Sequence, residues 1–130
     1  MITTTDIANI LYAECKSLGI PAYQEGNVAR GELDGERVVI HSKQQTSETK
    51  WLKSFAEVNI FVPNNGDDNA RLIRLNELER LARKELNRAG QYDGTAYKFK
   101  VDSTQILESK EFRAWYVNVR ILFQAINVLE

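Results

Sequence analysis

The chain has 130 residues, 43% of them hydrophobic and 27% charged, and a formal net charge of −1. That is enough for one domain around one core, too apolar for a disordered chain, and too balanced for a global field toward nucleic acid or membrane. The single cysteine, Cys15, excludes an internal disulfide.

The opening stretch MITTTDIANILYAEC has no basic lead and carries Asp6 and Glu14 where a signal peptide is apolar. No apolar run approaches the roughly 20 residues of a membrane helix. Ile7, Ile10, Leu11, Cys15 and Leu18 instead follow helical spacing, which predicts a helix over about 5–18. The threonines before it are N-cap candidates, Asp6 suits the first turn, and Gly19 and Pro21 end it.

In NVARGELDGERVVIHSK, Asp34-Gly35 separates two strand-like runs. Asp-Gly favours the positive φ angles of a type I′ turn, so a hairpin is expected there. Val39 and His41 share one face of its second strand, Val38 and Ile40 the other. QQTSET reads as a polar loop.

A third strand is expected from Trp51 to Val62, with Ala56, Val58, Ile60 and Val62 toward the core and Phe55, Glu57, Asn59 and Phe61 away from it. Pro63 closes it. PNNGDDN follows. It lacks the lysine of a phosphate loop and the closing glutamate of a calcium loop. It reads as punctuation, with Gly66 turning the chain and Asp67, Asp68 or Asn69 capping a helix.

That second helix is expected over about 69–89, with Leu72, Leu75, Leu78, Leu81, Ala82, Leu86 and Ala89 as its apolar stripe. Glu79 and Arg83 form an i,i+4 pair on its outer side, and Gly90 is the expected C-cap. Two alternating runs close the chain. The first holds Tyr97, Phe99 and Val101. The second has an apolar face of Trp115, Val117, Val119, Ile121, Phe123 and Ala125. With ESKE as the turn they form a long antiparallel hairpin. The expected fold is a single α+β domain, order α-β-β-β-α-β-β, with both helices on one face of an antiparallel sheet.

No catalytic, cofactor or metal residue is assigned. Cys15 lies on a helix stripe, where a cysteine is a small core residue, and His41 has no Ser or Asp partner in the pattern. The enzyme alternative is a metal-dependent nuclease, with Glu32 and Asp34 before IHSK. There His41 stands where an acid is needed, Lys43 takes the lysine place, and the Asp-Gly turn already explains Asp34. The aromatic residues read as sheet packing rather than nucleic-acid stacking, YKFK being the one compact basic–aromatic alternation. The second sheet face would then be left with Phe55, Phe61, Tyr116, Arg120 and Leu122, a mixed apolar and charged surface suited to self-association.

The arrangement resembles the bacteriophage tail terminator (tail completion) family of long-tailed phages. The resemblance is carried by the N-terminal helix, the hairpin, FAEVNIFVPNN leading into NARLIRLNELERLARKEL, and the closing FRAWYVNVRILFQA. It implies a homo-oligomeric ring, a hexamer, stacked on the tail tube and meeting the head–tail connector protein. It also implies no cofactor and no chemistry, no membrane and no specific nucleic acid as partner, and a place in the bacterial cytoplasm and then the virion tail. Another phage or mobile-element structural protein fits the same architecture.

Overall fold

The computed structural model of the chain describes residues 2–26, 33–43, 46–48 and 51–126. The fold is α+β. Helix α1 spans Thr4–Cys15 and continues as one 3₁₀ turn over Lys16–Leu18. Thr3 supplies the cap: its hydroxyl accepts from the Asp6 amide at 3.2 Å while its own amide donates to the Asp6 carboxylate at 2.9 Å. Gly19, at φ 72°, ends the turn.

The strands are β1 (Ala22–Gln24), β2 (Arg37–Ser42), β3 (Thr46–Glu48), β4 (Trp51–Pro63), β5 (Arg88–Tyr92), β6 (Thr95–Ser109) and β7 (Ala114–Ile126), with α2 (Leu72–Glu85) between β4 and β5. They make one sheet in the order β1-β2-β4-β7-β6-β5, with β3 also on β4. β1 runs parallel to β2, so the sheet is mixed and not purely antiparallel as expected. The order α-β-β-β-β-α-β-β-β has two more strands than the sequence pattern showed.

Ala56, Val58, Ile60 and Val62 of β4, and Val117, Val119, Ile121, Phe123 and Ala125 of β7, all lie in the core. Ile7, Ile10 and Leu11 of α1 and Leu75, Leu78 and Ala82 of α2 join the same cluster. Both helices therefore cover one face of the sheet, as the two apolar stripes require.

Four local expectations are corrected. Gly35 does not take a positive φ, and β1, preceding the loop, is parallel to β2. The run before Asp34 that would complete the expected hairpin falls at 27–32, outside the described residues. The positive-φ Asp-Gly turn is Asp93-Gly94, at 50° and 78°, joining β5 to β6. QQTSET is not all loop, because Thr46–Glu48 pairs with Trp51–Lys53. Helix α2 stops at Glu85, so Ala89 and Gly90 belong to β5. The reason is Asn87: its amide nitrogen donates to the Arg83 carbonyl at 2.7 Å and its amide oxygen accepts from the Val101 amide at 3.1 Å. That side chain clips the helix end to β6 and draws the chain into the sheet. Leu72, expected on the buried stripe, is 66% exposed.

Candidate interaction surface

The face of the sheet turned away from the helices is built in cross-strand rows, since directly paired residues point the same way. Arg37, Phe61 and Tyr116 form one row; Asn59 and Asn118 the next; Glu57 and Arg120 the third; Phe55 and Leu122 the fourth. Beyond β7 the rows continue through Leu107, Gln105, Ser103 and Lys100. A register shift between Val101 and Ser103 keeps Ser103 opposite Arg120.

The five residues expected on this face do share it, but in two separate groups. Phe61 is only 7% exposed. Its ring stacks on Tyr116 at 4.7 Å and meets the edge of Phe112 at 5.6 Å. The Arg37 guanidinium lies 4.6 Å from the Phe112 centroid and closes this cluster. Phe61 is thus part of a small second core, not open surface. Phe112 and Arg37 were missed. Phe112 sits in the turn after β6, where no periodicity points at a face, and Arg37 reads as an ordinary strand-end charge.

Phe55, Leu122 and Arg120 form the other group, toward the N-terminal end of β4. The Arg120 guanidinium lies 3.9 Å from the Phe55 ring centroid and 3.9 Å from the Asp102 carboxylate. Between the groups, the Asn118 amide donates to the Asn59 side-chain oxygen at 2.7 Å, with both residues buried. Gln105 adds a longer 3.4 Å bond to Asn118. Beside this ladder lies an open groove of about 490 Å³, lined by Lys43, Lys53, Phe55, Glu57, Asn118 and Arg120 among others. Lys43 pairs with Glu57 at 3.5 Å. Lys53 lies across Gln124 from Lys98, and Phe55 across Leu122 from Lys100. Among the described residues, cations therefore outnumber carboxylates on this end of a chain whose net charge is −1.

The remaining chemistry-bearing residues are accounted for structurally. Cys15 is buried in the core, and burial, reinforced by the Glu14 charge, pushes its thiol up to about 12. His41 pairs through Nδ1 with Glu25 at 3.3 Å. Glu32 of the nuclease pattern lies outside the described residues, and among the described residues no three His, Cys, Asp or Glu side chains come together to hold a metal.

The PNNGDDN turn ties itself together. Asn65 Oδ1 accepts from the Asp67 and Asn69 amides at 2.9 and 3.1 Å, and the Asn64 amide donates to Asp68 at 3.1 Å. That bond first, then the Arg113 charge, holds the Asp68 carboxyl below the usual range. The left-handed position is Asp68, at φ 61°, rather than Gly66. The helix N-cap is Arg71, without a side-chain bond, rather than Asp67, Asp68 or Asn69. No helix among the described residues is long and apolar enough to cross a membrane.

No family model and no curated protein matches the chain. One solved structure superposes on 98% of this chain and 96% of its own, with a TM-score of 0.51 and 12% sequence identity. That likeness extends the shared fold over the whole chain, and it concerns the fold alone.

Proposed function

We propose that this chain is a structural assembly protein of the tail-terminator kind: a homo-oligomeric ring, a hexamer as in the family it resembles, that caps a phage tail tube and offers a face to the head–tail connector. It works without a cofactor, in the bacterial cytoplasm and then in the virion tail. The observation that carries the reading is the bare sheet face. Both described helices lie on the other side, so Phe55, Leu122 and Arg120 are left beside charged neighbours on the face that those helices do not cover. A face of this composition suits a protein contact better than bare solvent.

Light scattering over a concentration series tests the ring: a mass several times that of the 14.9 kDa chain is expected. Binding of that ring to purified tail tubes, and not to free tube subunits, is expected next. Metal-dependent cleavage of plasmid DNA by the purified chain would instead establish the nuclease alternative.

A further inference from the structure

We infer that Asn65–Gly66 is a self-modification site: the Gly66 backbone nitrogen attacks the Asn65 side-chain amide, and the turn between β4 and α2 converts, without an enzyme, to aspartate and isoaspartate forms. The sequence holds an Asn-Gly pair once. An asparagine side chain closes a five-membered ring when the next backbone nitrogen can approach its Cγ. Glycine permits that approach, because it has no Cβ in the way and its backbone reaches the closing conformation at little cost. The two reacting groups are held in one short stretch of chain, so the closure has the advantage of an intramolecular reaction.

The fold leaves the nucleophile free and polarises the group it attacks. Gly66 is exposed, and its amide has no hydrogen-bond acceptor among the described residues. The amides on either side of it are engaged. That of Asn65 donates to the Asn69 carbonyl at 2.9 Å, and that of Asp67 donates to Asn65 Oδ1 at 2.9 Å. Asn65 Oδ1 accepts a second bond from the Asn69 amide at 3.1 Å. As the Gly66 nitrogen bonds to Cγ, negative charge develops on that oxygen, and two donors already point at it. The other asparagines of this stretch lack the combination. Asn59 is 8% exposed and bonded to Asn118, the Asn64 side chain donates to Asp68, and Asn69 precedes an alanine.

The reaction balances with water alone. The Gly66 amide gives its proton to hydroxide, its nitrogen forms a bond to Cγ, and the bond from Cγ to Nδ2 breaks, so that ammonia leaves and a succinimide remains. Water then opens the ring. Breaking the new bond to Cγ yields aspartate; breaking the original peptide bond yields isoaspartate, whose main chain runs through Cγ. The aspartate form keeps an oxygen where Oδ1 accepts its two bonds. The isoaspartate form lengthens the main chain and turns the carbonyl that accepts from the Asp68 amide at 2.9 Å into a free carboxylate. It therefore loosens the turn where it meets the end of β6–β7, at the Asn64 amide on the Arg113 carbonyl, 3.0 Å, and the Asp68–Arg113 pair, 3.4 Å.

The test incubates the full chain at mildly alkaline pH beside a synthetic peptide of residues 61–70. Trypsin then releases the segment 54–71, and mass spectrometry assigns each of its asparagines as amide, aspartate or isoaspartate. Asn65 is expected to convert in the folded chain at least as fast as in the peptide, with isoaspartate among the products, while Asn59 of the same segment stays an amide. Gly66→Ala is the second arm. It is expected to fold as the wild type does by circular dichroism, because an added Cβ meets nothing within 4 Å and the glycine lies outside the left-handed region. Its Asn65 is expected to convert at least about tenfold more slowly. An Asn65 that converts more slowly in the folded chain than in the peptide, or not at all, overturns the inference, since the turn would then protect the pair. Conversion to aspartate alone, or at an undiminished rate in Gly66→Ala, overturns it as well, since the Gly66 nitrogen would then not be the nucleophile.

Discussion

At the scale of single residues, the glycines separate turn chemistry from turn appearance. Gly35 sits in an Asp-Gly pair, yet its φ is not positive and an added Cβ meets nothing within 4 Å. Gly94 has equal room but sits at φ 78°. Gly90 has ordinary backbone, but a Cβ there would lie 2.8 Å from the Tyr97 hydroxyl. Tyr97 cannot swing aside cheaply, because its ring stacks on Phe99 and Phe123 at 6.2 and 5.4 Å. Gly35→Ala is therefore expected to be within about 0.5 kcal/mol of wild type. Gly94→Ala is expected to cost about 1 kcal/mol from its backbone, and Gly90→Ala about 1–3 kcal/mol from the clash. Urea denaturation of the three variants checks the ranking. Cys15 gives a second residue-level expectation. With its thiol pushed up to about 12 by burial, it should not react with a disulfide reagent at pH 8 until the chain is unfolded. A folded pKa raised above the unfolded one leaves its stability contribution intact below about pH 9 and erodes it as the pH climbs toward 12.

At the scale of elements, β4 shows what two-residue alternation can and cannot disclose. Its inner face was legible because Ala56, Val58, Ile60 and Val62 are uniformly apolar. Its outer face mixes Phe, Glu and Asn, and alternation is silent on whether such a face is wet. The structure buries Asn59 to 8% exposure and bonds it to Asn118 at 2.7 Å. Ile60→Ala is expected to cost about 2–5 kcal/mol. Asn59→Ala is expected to cost about 1–3 kcal/mol, because it strands the Asn118 amide. A double-mutant cycle on Asn59 and Asn118 should show coupling; strictly additive effects would mean that the bond contributes nothing. The same limits explain the other misses. β1 has three residues and no period to read. The end of α2 depends on Asn87 reaching across to β6, a contact between distant positions that no local pattern contains. Two Asp-Gly pairs look alike in sequence, and among the described residues only the second lies between strands that pair antiparallel with a two-residue loop.

At the scale of the whole molecule, the bare sheet face carries both a stabilising cluster and an adhesive one, and substitution should separate them. Phe61 is held between Tyr116 and Phe112 at 7% exposure, and the Arg37 guanidinium lies over the Phe112 ring. A charge placed there loses the aromatic packing and is desolvated as well. Phe61→Asp should cost more than about 3 kcal/mol and lower the melting temperature sharply, whatever the state of assembly. Leu122 is only half-buried and lies across from Phe55, beside Lys100. An aspartate there keeps access to water and gains a cationic neighbour, so Leu122→Asp should leave the fold standing. If the Phe55–Leu122 end is the seat of the contact between copies, the same change should reduce the particle to single chains. Thermal circular dichroism and light scattering on both variants decide the matter. A Leu122→Asp chain that melts like Phe61→Asp would make the whole face a second core, and the contact between copies would then have to lie on the helix side or at the strand edges.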